Sequence, residues 1–323
     1  MKKTSIVGFL AVAAFGYEPG NGIELTEYLK VGGYVAAKYE KSDSVDKFLL
    51  DDVAVLAYGN ISPLSRYLIE MENVGRYQKD FKNDKESESG AFRIERAVFE
   101  HSFSSRLKTA VGKMITPVGY WNQTPINVLR DTTSSPFAAT SIFPKLITGA
   151  QLFGESGIDD LEYSVCIQQN NDFDEKYNNF AINKFYGGGL TYSINDYLET
   201  KGFVGYFNER SDASQRRFAH LSAKYQKGVI QLLSEAVYSD IDAKQKQANS
   251  AAAFLQGRYT IGQKHYGVAR YEFYYDTLEN KREHIGVIGY NYRPIYPVSI
   301  KAEYGLSSIS KNSRFLCSVS ALF

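Results

Sequence analysis

The feature that most restricts the fold is a regular succession of amphipathic, strand-like segments. Polar and apolar residues alternate within these segments, as in Leu29–Glu40 and Leu161–Gln168, which is typical of β-strands with one apolar face. Helical periodicity does not extend over a full window anywhere in the chain. The pattern predicts about sixteen strands. Their predicted spans are 23–40, 47–60, 65–77, 91–103, 107–119, 147–156, 161–171, 180–194, 198–210, 215–227, 229–242, 250–262, 265–278, 283–293, 296–309 and 313–323.

The connections between these segments alternate in length. Counted from the first, the odd-numbered connections hold about 3 to 27 residues and the even-numbered ones about 1 to 4. Transmembrane β-barrels have long loops on one side and short turns on the other, whereas sandwiches and propellers have no reason to alternate. An even number of strands also returns both chain ends to the side of the short turns. We therefore predict an all-β fold, a transmembrane antiparallel β-barrel of about sixteen strands.

The end of the chain supports closure of this barrel. Phe315, Val319 and Phe323 lie on one face of the last predicted strand, and the other face is mostly polar. A strand that ends the chain exposes an edge unless a closed barrel pairs it with the first strand. An amphipathic strand ending in Phe resembles the closing strand of bacterial outer-membrane barrel proteins. The alternative, an ordinary sandwich strand, does not explain the alternating connections.

The N-terminus has the layout of a secretory signal peptide. Lys2 and Lys3 precede an apolar run over Ile6–Phe15, and small residues follow. The run is too short to cross a bilayer as a helix. We predict a signal peptide over residues 1–16 and an outer-membrane barrel over residues 17–323.

Composition agrees with an exported barrel and argues against nucleic acid as a partner. The formal net charge is +1, so there is no bulk attraction to polyanions. The chain has 25 Tyr and 20 Phe, in keeping with the aromatic belts of membrane barrels. The two cysteines, Cys166 and Cys317, fall on separate predicted strands and are interpreted as isolated small hydrophobic residues rather than a disulfide.

The third of the longer connections, Tyr120–Leu146 between the fifth and sixth predicted strands, differs from the others. It contains three prolines and several large apolar residues, which a solvated loop does not need. A connection of this length without regular structure is usually functional or disordered. Because the barrel interior is the surface available for packing, we expect the segment to fold inward.

The stretch Val111–Asn122 reads VGKMITPVGYWN and resembles the Gly-basic-x-x-Thr-Pro pattern of Gram-negative outer-membrane porins. The similarity is nearer to the phosphate-selective and related specific porins than to the enteric general porins. This resemblance implies sixteen strands, a third loop that narrows the channel, and a homotrimer in the outer membrane of a Gram-negative bacterium. It further implies a water-filled channel for passive diffusion, with membrane lipid, ions and small hydrophilic solutes as partners and no cofactor.

Charged residues on the polar faces are candidates for the channel wall. We expect Arg130, Asp131 and Lys145 at the pore constriction. The pore-lining candidates are Lys30, Lys38, Arg66, Glu70, Lys113, Lys201, Arg216, Arg258, Arg270, Glu272 and Lys301. For any one of them a structural ion pair is the alternative, but together they favour a mild preference for anions.

An enzyme is not expected. The four histidines, His101, His220, His265 and His284, fall on separate predicted strands and do not converge on one general base. No metal-ligand spacing occurs. The remaining alternative to a channel is a plugged barrel with a structural or adhesive role.

Overall fold

The computed structural model describes residues 22–243 and 246–323, and the chain folds almost entirely into β-strands. The predicted signal peptide and the start of the mature chain lie outside these residues. In chain order the strands are β1 Ile23–Thr26, β2 Leu29–Ser42, β3 Asp46–Ser62, β4 Ser65–Asp80, β5 Lys85–Glu88, β6 Arg93–Ser102, β7 Lys108–Ile115, β8 Leu146–Glu155, β9 Leu161–Gln168, β10 Ile182–Asn195, β11 Leu198–Glu209, β12 Gln215–Lys227, β13 Ile230–Ala243, β14 Lys246–Gly262, β15 His265–Asp276, β16 Lys281–Tyr292, β17 Val298–Ser307 and β18 Arg314–Leu322. Short helices cover Asn127–Leu129, Phe137–Thr140, Glu175–Tyr177 and Ser310–Asn312.

Sixteen of these strands form one closed antiparallel barrel. Each pairs with the next along the chain, β4 pairs directly with β6, and β18 pairs with β2 to close the cylinder. The two remaining strands are short: β1 folds back on the start of β2, and β5 extends the end of β4 as a hairpin. The predicted all-β barrel of about sixteen strands is confirmed. In the part of the chain that the structure describes, no helix has the length and apolar character needed to cross a membrane.

The two faces of the barrel differ in character. Large apolar side chains point outward and are exposed, such as Val204, Leu221 and Ile288. The alternate residues point inward and are buried, such as Phe203 and His220. An outer face of this kind is stable only in apolar surroundings.

Irregularities in the pairing register mark β-bulges. In the predicted span 91–103, where alternation is poor, the pairing of β4 with β6 shifts between Glu70 and Met71. The glycine run Gly187–Gly189 is a position where the sequence predicts a kink, but β10 pairs with β11 without a shift from Phe185 to Ser193. The glycines have a packing role instead, because a Cβ at Gly187 or Gly189 would lie 2.6 or 2.5 Å from the Phe203 ring.

Candidate functional site: a loop across the barrel interior

Loop 3, residues 116–145, connects β7 to β8 and crosses the interior of the barrel. Its backbone is hydrogen-bonded to Glu235 on β13, Glu272 on β15 and Glu303 on β17. None of these strands neighbours β7 or β8 in the sheet, so the loop reaches them through the lumen.

The first anchor, Glu235, binds the segment where loop 3 leaves the wall. Its Oε1 accepts the backbone N–H groups of Tyr120 at 2.8 Å and Trp121 at 2.7 Å. Gly119 has a φ of +65°, and a Cβ there would lie 2.4 Å from Glu235 Oε2. Only glycine allows the chain to turn this closely against the carboxylate. On its other side Glu235 lies 3.1 Å from Nε2 of His220, and both side chains are buried.

Two further anchors hold the middle of the loop. Glu303 accepts the backbone N–H groups of Thr133 and Ser134, both at 2.8 Å, and Glu272 accepts that of Phe137 at 3.0 Å. Backbone N–H groups buried away from water require an acceptor, and a carboxylate makes the stronger, charge-assisted bond. The path of loop 3 is therefore set by carboxylates on the far wall.

An apolar cluster fills one sector of the interior. Ile142 and Phe143 of loop 3 are fully buried in it, and the rings of Phe143 and Phe218 stack with centroids 5.7 Å apart. The cluster also includes Trp121, Phe153, Phe180, Phe185, Phe203, Phe207, Val237 and Phe254. Close-packed apolar groups leave no room for water. A hydrated passage must therefore lie elsewhere in the lumen.

A second, smaller apolar cluster holds loop 3 on the other side. Ile126 and Val128 pack against Tyr34, Leu56 and Leu322 on β2, β3 and β18. Removing these loop side chains from water is favourable at roughly 25 cal/mol per Å² of apolar surface. Loop 3 therefore spans the barrel between two apolar contacts.

The structure places two of the predicted constriction residues side by side on loop 3. Arg130 donates from Nε to the Thr124 carbonyl at 2.7 Å, and its guanidinium carbon lies 5.5 Å from the Trp121 ring centre. Asp131 accepts from Arg258 on β14 at 3.1 Å. Arg130 is thus held by the loop itself, whereas Asp131 joins the loop to the wall.

The third predicted constriction residue, Lys145, lies at the end of loop 3, where the chain returns to the wall. Burial lowers the pKa of its ammonium group, and Arg130 acts in the same direction. Burial also lowers the pKa of Arg130. Asp52, Glu72 and Glu95 oppose both shifts, so these three wall residues act on the two cations of the loop.

Three glutamates of the wall cluster around one tyrosine. The Tyr34 hydroxyl lies 2.9 Å from Glu70, 2.9 Å from Glu72 and 3.3 Å from Glu95, and Glu70 is also paired with Arg96. Glu70 is among the predicted pore-lining residues, whereas Tyr34 and Glu95 are not.

Simple alternation misplaces residues next to a bulge, and for this reason the period-two pattern does not identify Glu95 and Asp52. Both lie at register shifts, one in the pairing of β4 with β6 and one in that of β3 with β4. A usable signal was present in the sequence. The adjacent pairs Asp51-Asp52 and Glu95-Arg96 cannot alternate between lumen and lipid at an acceptable energy, so each pair indicates a bulge.

Most of the predicted pore-lining charges are engaged in ion pairs. These are Lys38 with Asp51 at 2.6 Å, Arg66 with Glu100 at 2.5 Å, Glu70 with Arg96, Arg216 with Glu209 at 2.5 Å, Arg258 with Asp131 at 3.1 Å and Arg270 with Glu272 at 2.8 Å. Paired charges contribute little net field, because the two fields largely cancel at a distance.

Three other predicted pore-lining lysines have different surroundings. Lys301 is buried and donates to the Asn127 carbonyl and, at 2.9 Å, to its Oδ1 on loop 3. The ammonium of Lys201 lies 5.1 Å from the Tyr120 ring centre. Lys30 is half-buried at the turn end of β2. The first two therefore support loop 3 in addition to any effect on ions.

Lys113 is not placed in the channel. It shares the outward face of the wall with its neighbour Val111, and its cross-strand partner is Thr148 on β8. Its ammonium donates to the carbonyls of Ile94 at 2.8 Å and Asp174 at 2.5 Å. A lysine is tolerated on this face because the chain around Asp174 covers it.

Solved structures share this fold at low sequence identity. OmpF of Salmonella typhi, in complex with daunomycin, matches with a TM-score of 0.66 and 10% identity over 93% of this chain and 99% of that one. The outer-membrane channel DcaP of Acinetobacter baumannii matches with a TM-score of 0.63 and 12% identity over 94% and 99%. An anion-selective porin from Comamonas acidovorans matches with a TM-score of 0.62 and 11% identity over 91% and 99%.

Comparisons at the level of sequence are negative. No protein-family model matches the chain, and no curated protein matches it significantly. The structural neighbours therefore show that the fold is that of Gram-negative outer-membrane porins. They do not support the predicted similarity to the phosphate-selective group in particular.

Proposed function

We propose that the protein is a porin, a water-filled channel for passive diffusion of ions and small hydrophilic solutes across an outer membrane. The observation that carries this proposal is a charged inner wall inside a barrel with an apolar outer face. Buried charges without water or partners are very costly, so a lumen with many half-buried charges is hydrated. The closed sixteen-stranded fold supports the outer membrane of a Gram-negative bacterium as the location.

We place the passage beside the second apolar cluster, between the cations of loop 3 and the carboxylates Asp52 on β3 and Glu95 on β6. The opposite sector is filled by apolar side chains, whereas Arg130, Lys145, Asp52 and Glu95 remain half-buried. In this arrangement Arg130, Asp131 and Lys145 line the narrowest section.

We further propose a mild preference for anions. Within residues 22–243 and 246–323, neither Arg130 nor Lys145 forms a salt bridge, so their charges are not cancelled by a bound partner. The preference is weak because the carboxylate of Glu95 opposes these cations from the wall. A porin of the same fold is described as anion-selective.

Planar-bilayer recordings test the channel. The folded protein should give steady conductance steps, and deletion of residues 126–142 should raise the conductance because it removes the part of loop 3 that occupies the lumen. A control deletion of residues 81–84, at the tip of the exposed hairpin between β4 and β5, should leave conductance unchanged. Silence from a folded, heat-resistant barrel would overturn the proposal.

A plugged structural or adhesive barrel is the second candidate. The apolar cluster around Ile142 and Phe143 favours this candidate, because the cluster already closes one sector of the lumen. Silence in the wild type together with conductance in the 126–142 deletion would identify such a plug.

We propose no enzymatic activity, and a homotrimeric state follows from the porin resemblance. The four histidines occupy four separate strands: His101 on β6, His220 on β12, His265 on β15 and His284 on β16. They cannot converge on one reacting group. Molar mass by light scattering in detergent tests the trimer, with a monomer mass as the contrary result.

A further inference from the structure

Loop 4, residues 169–181, lies where the barrel wall is low. The strands next to loop 4 are short at this end of the barrel. Strand β7 ends at Ile115, β8 begins at Leu146 and β6 begins at Arg93. The chain that would have continued the wall is loop 3, which has turned into the lumen. Loop 4 therefore covers the gap that loop 3 leaves.

Several hydrogen bonds attach loop 4 to the wall. Asp174 accepts the N–H of Ile94 at 3.1 Å and, through its carbonyl, the Lys113 ammonium. The Tyr177 hydroxyl donates to the Glu72 carbonyl on β4. These bonds join loop 4 to three strands and make it part of the wall.

One side chain of loop 4 binds loop 3 directly. Asn179 accepts the backbone N–H of Lys145 at 2.8 Å, and its amide donates to the carbonyls of Thr140 and Phe143, each at 2.8 Å. These three groups belong to the last part of loop 3 and lie outside the β-ladder. The adjacent Asn178 binds both backbone groups of Leu146, at the first residue of β8.

The barrel does not need these contacts to close. Strands β7 and β8 pair with each other over Lys108–Ile115 and Leu146–Phe153, below the gap. Loss of Asn179 would leave this ladder intact and remove contacts only from the segment above it. The bonds of Asn179 thus concern the position of the loop rather than closure of the wall.

We propose that Asn179 is a positioning residue for the constriction, holding Thr140–Lys145 of loop 3 in place from loop 4. This proposal rests on the proposed channel function. In this view the end of the constriction loop that carries Lys145 is set by a side chain from a different surface loop.

Three variants test the role: Asn179→Ala, Asn179→Asp and the control Asn171→Ala. Asn179→Ala removes all three bonds, whereas Asn179→Asp keeps the acceptor for Lys145 and loses the two donated bonds. Asn171 lies in the same loop, is exposed and makes no side-chain hydrogen bond among the described residues.

The first readout does not depend on conduction. Amide hydrogen exchange in a peptide covering residues 137–147 should accelerate by on the order of tenfold in Asn179→Ala, less in Asn179→Asp, and not in Asn171→Ala. Heat-resistant folding should be retained in all three. If Asn179→Ala does not fold, the nearly isosteric Asn179→Asp decides. Unchanged exchange in a folded Asn179 variant would overturn the proposal.

The second readout is single-channel recording. Asn179→Ala should show a higher mean conductance and frequent substates, because the loop end moves, while Asn171→Ala should match the wild type. A steady, unchanged conductance with accelerated exchange would contradict a role in the constriction. Absence of conductance in the wild-type protein would instead refute the proposed function. The hydrogen-exchange result would still show whether Asn179 positions loop 3.

Discussion

Phe323 closes the barrel against Gly33. The two residues exchange backbone hydrogen bonds, each 2.9 Å long, and the Phe323 ring covers the α-carbon of Gly33. A Cβ at Gly33 would lie 2.6 Å from the ring and 2.4 Å from the carbonyl oxygen of Ala54. The C-terminal aromatic residue and this glycine therefore form one complementary seam.

The seam predicts the effect of adding a side chain at Gly33. Gly33→Val should destabilise the barrel by about 1–3 kcal/mol, because overpacking forces the ring or the strand to move. Gly286→Val is the matched control, since nothing lies within 4 Å of a Cβ at that glycine. The heat-resistant fraction on semi-native gels measures the difference, and equal fractions would contradict the prediction.

The position of Val319 on the outer face of the barrel predicts the effect of a charge there. Val319→Arg should cost roughly 2–4 kcal/mol and reduce folded protein, because the cation would face lipid. Val319→Leu should be tolerated. Urea unfolding in vesicles measures the change, and equal stability of both variants would show that Val319 does not face lipid.

At Ser318, one residue before Val319, we expect a different effect of an arginine. The sequence predicts that Ser318→Arg enters water and is harmless, but the Ser318 hydroxyl lies 2.7 Å from that of Thr133 on loop 3. An arginine there should displace loop 3, and the displacement should appear as changed conductance in a folded barrel.

Arg130 should set the sign of ion preference. Arg130→Glu should shift the zero-current potential in a salt gradient toward cation selectivity, because charge at a narrow section is weakly screened. Arg130→Lys keeps the charge and should change the potential much less. A potential that Arg130→Glu leaves unaltered would place the narrowest section elsewhere.

The preference should also depend on pH through Lys145. Burial lowers the pKa of this lysine, so it loses its charge at a lower pH than an ordinary lysine, whose pKa is about 10.4. Anion preference should therefore fall as pH rises toward that value, and recover on acidification. Lys145→Arg should give a flatter profile, because arginine stays protonated. Identical profiles would exclude Lys145 as the titrating group.

The Glu235 anchor can be followed through the chain's single tryptophan. Trp121 is buried, and its backbone N–H donates to Glu235. Glu235→Ala leaves two backbone N–H groups without their acceptor, a cost of about 1–3 kcal/mol each. Trp121 emission should shift to the red and acrylamide quenching should increase. Glu162→Ala, at an exposed glutamate on β9, should change neither signal.

The barrel could be predicted from the local sequence pattern, because alternation within a strand depends only on which face of the strand contacts lipid. The predicted span 215–227 coincides with β12, where every second residue faces outward. Alternation failed where a bulge adds a residue, as at Glu95, and where another loop covers the outer face, as at Lys113. The bulge shows in the sequence only as adjacent charged residues such as Glu95-Arg96, and the covering loop leaves no mark in the period-two pattern.

The sequence by itself determined the strands, their order, the closed sheet and the unusual character of loop 3. Those properties follow from short-range periodicity and from the lengths of connections. Only the tertiary structure decided which charges are free. Arg130, Arg258 and Arg270 are all predicted to face the lumen, yet Arg258 and Arg270 are each paired with a carboxylate. Glu235 and Glu303 hold the backbone of loop 3 rather than face solutes. The reason is physical: a charge acts according to the partner within a few ångströms, and those partners come from strands and loops far apart in the chain.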